Sequence, residues 1–455
     1  MDMITVKRID ATSGPLVRQI LLYSLPLILS TVLQNLFNAV DTAVLGNMAD
    51  STAVASVGAT GTVVTLIVNA FIGFPAGTRI VLARFIGEKN PERIRAAVDT
   101  SVILAIVVGL IIAVLGWIFS PMLLRALNCP ENCFEGASLY LQVYFTAAPA
   151  ILLYNFCSGI ISTAGNTQSP LYYMIAGGIL NVVLNILLCL ILPNKVAAVA
   201  ISTVASQILG ALLCLRRLRR GEGEIQLKLR AMRWNGPAFR KIFSMGLPLS
   251  IANLMYPLGS LQIQSSVNSF GSAAIAGNHA SAIWETFGSA FVGGIGTAGG
   301  VFIGQNLGAQ KHDRVKKSIF HSLWINTSFG AGVGLLLLLT APLGLQIFLA
   351  GDQTALEFGM IRSYCILTAF GIAGVNNALG AYLQNFGYSS LSSINAVVWV
   401  LGFRFVWMTW IYPLNPSFHM LMICFAVSWA LTMMTNIVMG SIVFIRYRKG
   451  KYRRL

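Results

Sequence analysis

The sequence predicts an all-α integral membrane protein whose twelve transmembrane helices form two pseudo-symmetric six-helix bundles. Three observations carry that expectation. Of 455 residues, 56% are hydrophobic and only 10% charged, against about 25% charged in an ordinary soluble domain. Too few charges are present to cover three soluble domains, so lipid must be most of the solvent. The basic residues gather in alternate short loops, and the second half of the chain echoes the first at an offset of about 222 residues, as a parallel internal repeat does.

Apolar runs reach the ~20 residues that a membrane helix requires. In the first half they lie at about 16–45, 54–83, 97–124, 138–162, 171–192 and 196–215. The second half supplies six more, at about 242–268, 273–304, 318–349, 360–384, 391–412 and 419–445. The first run follows Lys7 and Arg8 but is too long for a signal h-region and lacks a small-residue cleavage site, so it is expected to be retained. Several runs exceed the ~30 Å hydrocarbon thickness at 1.5 Å per residue and must tilt or protrude. Pro26, Pro149, Pro248 and Pro257 fall inside predicted helices, where neighbouring helices must re-satisfy the freed carbonyls.

A net charge of +16 invites a nucleic-acid reading, but the placement of the charge argues against such a partner. The clusters are Lys7, Arg8 and Arg18; Arg84, Lys89, Arg93 and Arg95; Arg216 through Lys241; Lys311, Arg314, Lys316 and Lys317; and Arg446 through Arg454. This is the positive-inside pattern, which puts all five clusters in the cytoplasm. Twelve crossings, an even number, likewise return both termini to one side. Arg79, Arg125, Lys195, Arg362 and Arg404 are scattered within or between apolar runs. The seven cysteines give no disulfide framework. Five lie in apolar runs as small hydrophobes, while Cys129 and Cys133 share a predicted external loop at a spacing open to a bridge.

Sliding the chain on itself aligns Leu25-Pro26 with Leu247-Pro248, Arg84-Phe85-Ile86-Gly87 with Gln305-Asn306-Leu307-Gly308, and Gly165-Asn166-Thr167 with Gly387-Tyr388-Ser389. The expected organisation is a bundle over 1–215, a cytoplasmic linker over 216–241, and a second bundle with a basic tail over 242–455. Six helices per half is an even number, so the halves run parallel, related by an axis along the membrane normal, and a substrate path between them is the usual consequence.

These residues carry a resemblance. Leu25-Pro26 followed by Gln34, Asn38 and Asp41, then Gly87-Glu88-Lys89-Asn90, Gly165-Asn166-Thr167, Gly246-Leu247-Pro248, Ala276-Gly277-Asn278 and Gly304-Gln305-Asn306-Leu307-Gly308-Ala309 resemble the multidrug and toxic compound extrusion (MATE) family. The resemblance covers the chain from about Leu21 to Arg446. It implies an antiporter of two bundles forming a V-shaped cavity, which exports amphipathic, often cationic compounds in exchange for sodium ions or protons.

An ionisable group in hydrocarbon costs about 2.5–3.5 kcal/mol even on insertion scales, so each one is a functional candidate. On the first helix, Ser30, Thr31, Gln34, Asn38 and Asp41 fall in one stripe. Asp41 is its only acid, and a carboxyl there can accept a proton or offer its oxygens to sodium; the other reading is a water-exposed acid near the outer helix end. Asn181 and Asn185 share a face of helix five, and Ser202 and Thr203 follow on helix six; oxygen ligands of this kind suit a hard cation. The resemblance assigns Asp41, Asn181, Asn185 and Thr203 to the coupling ion, with one departure, since Asn185 stands where many family members have a second Asp. Asparagines at this spacing also simply join helices.

Helix seven carries a matching stripe of Asn253, Tyr256, Ser260, Gln264 and Asn268 without an acid. Some family members have a Glu in this helix and an Asp in helix ten; here Tyr256 takes the former place and helix ten has none. Glu285 in helix eight and Arg404 in helix eleven are the charges of the second bundle, and two opposite charges in one bundle suggest a structural or gating pair. Direct contact between Glu285 and a cationic substrate is the competing idea. Gln34, Asn38, Asn253, Tyr256, Gln264, Glu285 and Arg404 are thus the substrate or gating candidates. Aromatic and Met residues such as Phe37, Tyr140, Tyr144 and Met255 suit either a promiscuous pocket or plain helix packing.

Gly294 to Gly299 formally match a dinucleotide fingerprint, but no strand precedes them; Gly296, Gly300, Gly304 and Gly308 recur every four residues, as close helix packing requires. No HExxH, GxSxG or P-loop is present, so neither an enzyme nor a nucleotide-driven pump is expected, and no cofactor beyond a coupling proton or sodium ion. The expectation is a monomeric secondary antiporter in a bacterial cytoplasmic membrane, with the bilayer and small organic cations or amphipathic drugs as its partners. The alternative is a lipid-linked oligosaccharide flippase of the same superfamily. That activity needs a strongly basic cavity for pyrophosphate, and only Arg404 and Arg79 offer charge for it.

Overall fold

The computed structural model describes residues 8–48, 51–126, 129–221, 225–349 and 351–450; Lys7, Lys451, Arg453 and Arg454 of the basic clusters lie outside them. All regular structure among the described residues is helical. The first half holds α1 (Leu16–Met48), α2 (Ser51–Gly87), α3 (Pro91–Ala126), α4 (Glu131–Thr146), α5 (Ala148–Thr163), α6 (Gln168–Ile191) and α7 (Lys195–Arg220). In the second half α8 spans Gly236–Asn268, α9 Ser272–Gly308, α10 His312–Leu349, α11 Gln353–Leu367 and α12 Phe370–Asn385. The helical span Ser389–Leu414, here α13, and α14 (Phe418–Arg448) complete it. Ten of the helices are long and apolar enough to cross a membrane, or up to twelve if each bent pair is one span. The bent pairs are α4–α5, at 45°, and α11–α12, at 44°.

The repeat is visible in backbone conformation as well as in length. Helices α1 and α8 both have 33 residues, and α2 and α9 both have 37. Lys89 and Gln310, which follow α2 and α9, are the two described non-glycine residues with positive φ, at 51° and 57°. In each case a left-handed residue lets the next amide reach back to the helix end, Asn90 N–H to the Phe85 carbonyl and Lys311 N–H to the Asn306 carbonyl. Gly165 and Gly387, the aligned motif glycines, have φ of 92° and 85°, which a side chain would resist.

Proline placement accounts for one of the breaks. Pro149 lies in the first turn of α5, where it ends α4 because its ring cannot continue the helix. Pro26 lies inside α1, and Pro248 and Pro257 inside α8, as predicted. Within α13 the turns widen to π-helix at Val397–Gly402 and at Trp407–Ile411, on either side of Arg404. All seven cysteines, Cys129 and Cys133 among them, are free thiols.

Contacts divide the chain into two compact units, one of Met1–Ile9 and Leu29–Gly246, the other of Asp10–Ile28 and Leu247–Leu455. In the first unit, Leu45, Cys189, Ala198 and Val199 form a buried cluster that joins α1 to α6 and α7. The start of α8 belongs here too, and Gly77 and Gly246 are so close that a Cβ on Gly77 would meet the Gly246 backbone. In the second unit one face of the first turns of α1 is buried: Tyr23 meets Phe302 edge-on with centroids 5.8 Å apart, and Ile28 packs on Gly294. Gly296 and Gly300 let α9 approach Asn377 and Asn385 of α12 closely, the packing role that the four-residue glycine spacing suggested.

The segment ahead of α1 is tied into the second unit by its backbone. Arg314 donates to the carbonyls of Ala11, Ser13 and Gly14 at 3.1, 2.7 and 2.8 Å, and Lys311 donates to that of Thr12 at 2.8 Å. Asp10 closes the turn, accepting from the Thr12 amide and hydroxyl and from the Ser13 hydroxyl.

Candidate functional site

In the first unit, α1 and α6 bring Asp41 and two asparagines together. Asn185 Nδ2 donates to Asp41 Oδ1 at 2.5 Å and lies 3.4 Å from Asn181 Oδ1. Asn181 interacts with the Asp41 carboxyl as well. Asn181 and Asn185 are buried, and Asn185 Oδ1 has no hydrogen-bond partner. A buried amide oxygen left unpaired costs about 1–3 kcal/mol, which a cation or a polarised proton beside it would recover. The cluster therefore brings a carboxylate and two amide side chains together, and oxygen donors of this kind suit a hard cation.

Local packing sets this geometry. Gly178 of α6 stands one helical turn before Asn181, and a Cβ there would overlap the Phe37 ring of α1; only glycine lets α1 come near enough for Asp41 to reach Asn185. At the end of α6, Lys195 Nζ donates to the carbonyls of Cys189 and Leu192 at 2.6 and 2.9 Å, a cation placed where the helix dipole favours one. The hydroxyl of Thr203, the fourth expected ligand, donates to the Val199 carbonyl of its own helix. Gln34 and Asn38 lie exposed on the stripe that runs up to Asp41.

The second unit holds a continuous polar network. Gln264 Nε2 donates to Asn268 Oδ1 at 2.9 Å, and Asn278 Nδ2 donates to Gln264 Oε1 at 3.3 Å. Arg362 Nη1 donates to Asn278 Oδ1, while its Nε and Nη2 donate to Glu285 Oε1 and Oε2, all at 2.8 Å. Ser281 adds a bond to Glu285 and another to Ser363. The expected pairing of Glu285 with Arg404 is therefore corrected: the cation that neutralises Glu285 is Arg362 of α11. Two arginines in apolar runs compete for one acid, and the fold awards it to the one whose planar fork meets the carboxylate bidentately.

Arg404 has different neighbours. Its Cζ sits 4.3 Å from the centroid of Phe425, and its Nε and Nη2 reach the Ser428 hydroxyl at 3.3 Å. Tyr256 lies near enough to feel its charge. Asn253 and Tyr256 occupy the α8 stripe beyond Gln264, Tyr256 exposed and Asn253 half-buried. Arg362 and Asn278 are the members of this network that the sequence did not single out as site candidates. Asn278 stood in a motif already noted, and Arg362 shared with Arg404 the signal of a lone basic residue in an apolar run.

Known proteins agree with this architecture. The MatE family model matches residues 26–187 and 248–408, two segments that begin at the repeat-related Pro26 and Pro248. The chain is similar to the probable multidrug resistance protein YoeA of Bacillus subtilis, 27% identical over 344 residues and 74% of each chain. It is also similar to the probable multidrug resistance protein YpnP of the same organism, 25% identical over 413 residues, 88% of this chain and 90% of the relative. Among solved structures, a MATE protein in complex with MaL6 superposes with a TM-score of 0.90 at 19% identity, covering 98% of this chain and 100% of that one. A MOP superfamily transporter from Pyrococcus furiosus gives 0.89, also at 19% identity, over 98% and 99%. Matched along both halves, the chain belongs to the MatE family.

Proposed function

We propose that the protein is a secondary antiporter that exports amphipathic, often cationic compounds in exchange for protons or sodium ions, with Asp41 as the residue that takes up the coupling ion. The observation that carries this reading is the bond from Asn185 to Asp41 at 2.5 Å beside a buried and unpartnered Asn185 oxygen. Asn185 orients the carboxyl and Asn181 supplies a second amide oxygen, with Thr203 of α7 the further ligand that the MATE resemblance implies. Uptake of a cation neutralises Asp41 and weakens its hold on the Asn185 amide, so the two ion-occupancy states favour different arrangements of α1 against α6. An ion can shift that equilibrium only through such differential contacts. The multidrug resistance relatives support the efflux reading, and the amphipathic, often cationic substrate class is what the MATE resemblance implies.

The test is efflux of an organic cation from proteoliposomes under separately imposed proton and sodium gradients. The driving gradient should accelerate efflux in the native protein and have no effect on the Asp41→Asn variant. Full-rate gradient-driven efflux by that variant would refute the reading.

A further inference from the structure

The chain between α7 and α8, in the first unit, is pinned at both ends and displayed in the middle. Leu227, 2% exposed, donates its amide to the Leu218 carbonyl of α7 at 3.0 Å. Further along, Arg95 of α3 donates to the Ala231 carbonyl, and the Asn235 amide donates to the Thr100 hydroxyl of α3 at 3.2 Å. Between these pins Lys228, Leu229, Arg230, Arg233 and Trp234 all lie exposed, around a turn of 3₁₀-helix at Leu229–Ala231. The Trp234 ring rests on Phe239, with centroids 4.8 Å apart, yet stays 49% exposed. Nearby acids are engaged by other cations, Glu88 by Arg84 and Arg93, and Asp99 by Arg95. Asp99 also faces the Arg233 backbone, but among the described residues no acid pairs with the side chains of Lys228, Arg230 or Arg233. From Arg216 to Lys241 the sequence carries nine basic residues against two acids, Glu222 and Glu224.

We propose that residues 228–234 dock on anionic phospholipid headgroups at the membrane surface, with Lys228, Arg230 and Arg233 meeting the phosphates and Leu229 and Trp234 entering the interface. Position supports this, since α8, long and apolar enough to span the membrane, begins at Gly236, two residues beyond Trp234. The segment therefore sits at headgroup level, where Trp is enriched and where a basic cluster gains from anionic lipid. Charge and apolarity together choose the partner. Free phosphate would satisfy the cations and leave Leu229 and Trp234 in water, while a zwitterionic lipid would take the apolar pair and leave three charges unmatched. Docking here is independent of which compound the protein exports.

Full-length protein in vesicles of equal parts phosphatidylglycerol and phosphatidylcholine, with brominated acyl chains on one lipid or the other, tests this by tryptophan quenching. The Trp234 share is the quenching lost in Trp234→Phe made in the same background. In the native protein that share should be about twofold larger with bromine on phosphatidylglycerol than with bromine on phosphatidylcholine. Lys228→Gln, Arg230→Gln and Arg233→Gln combined should equalise the two. The same loss of charge by Lys317→Gln, Arg446→Gln and Arg448→Gln, at exposed positions of the second unit, should leave the preference intact. All six side chains are exposed, so both triple variants keep the fold. Equal quenching by the two lipids in the native protein, no quenching of Trp234 by either, or as large a loss of preference in the second-unit triple overturns the proposal. Inorganic phosphate added at constant ionic strength should not erase the preference; if it does, the segment binds free phosphate and not the membrane, and the proposal fails.

Discussion

Arg362 grips Glu285 with two hydrogen bonds of 2.8 Å, from Nε and from Nη2, across α9 and α11. Both side chains are largely buried, so removing one partner leaves an uncompensated charge. Glu285→Gln should destabilise the protein by about 3–5 kcal/mol, read as a fall in melting temperature in detergent. The exchange Glu285→Arg with Arg362→Glu should recover part of that loss, whereas exchanging Glu285 with Arg404 should recover none. Rescue by the Arg404 exchange would return the pairing to Arg404.

Asn185→Ala withdraws the amide that orients Asp41 and with it one candidate ligand oxygen. Loss of an orienting partner costs roughly 10- to 100-fold in ion affinity. The concentration of the coupling ion giving half-maximal efflux should rise by that factor, with the maximal rate less affected. An unchanged half-saturation point would remove Asn185 from the site.

Gly178→Leu forces a side chain into the space of the Phe37 ring. Overpacking of this kind costs about 1–3 kcal/mol, and α1 must retreat from α6. Gradient-driven efflux should fall more than thermal stability does, because the Asn185–Asp41 bond depends on that approach. Phe37→Ala in the same chain should restore efflux; its failure to do so would place the fault elsewhere.

Asp10 lies outside the membrane spans and titrates with the segment it closes. Burial alone would raise its pKa, but hydrogen bonds from Thr12 and Ser13, aided by Lys311, hold the carboxyl below its ordinary value. A folded-state pKa below the unfolded one of about 3.9 means that the carboxylate's contribution is complete above that pH and is lost as pH falls through the folded value. Amide protection over residues 10–14, measured as exchange relative to the intrinsic rate at each pH, should therefore fall on acidification below about pH 4, and Asp10→Asn should show the weaker protection already at neutral pH. Protection in that variant equal to the native protein's would deny the turn any role.

Hydropathy and charge sufficed to read the spans, because a helix in lipid needs only length and apolarity. The α4–α5 break falls at a proline visible in the sequence, Pro149, whereas the α11–α12 break falls at Thr368–Ala369 with no proline to announce it. At the candidate sites, pairs along one helix were legible and pairs across helices were not. The four-residue spacing of Asn181 and Asn185 puts them on one face, and the family resemblance added Asp41. Nothing in chain order could choose Arg362 over Arg404 as the partner of Glu285, since that choice is made by distance in space. Nor does any charge or repeat announce that residues 10–28 pack with the second half.

That last feature bears on how the gene can be divided. A chain severed between α7 and α8 yields two polypeptides, neither of which encodes a whole unit: the first carries away residues 10–28, and the second takes Gly236–Gly246. Each fragment would be synthesised lacking a helical piece that only its sister supplies. Such fragments should accumulate only when co-expressed, and an ancestral duplication, once fused with this exchange in place, could not easily be undone by fission.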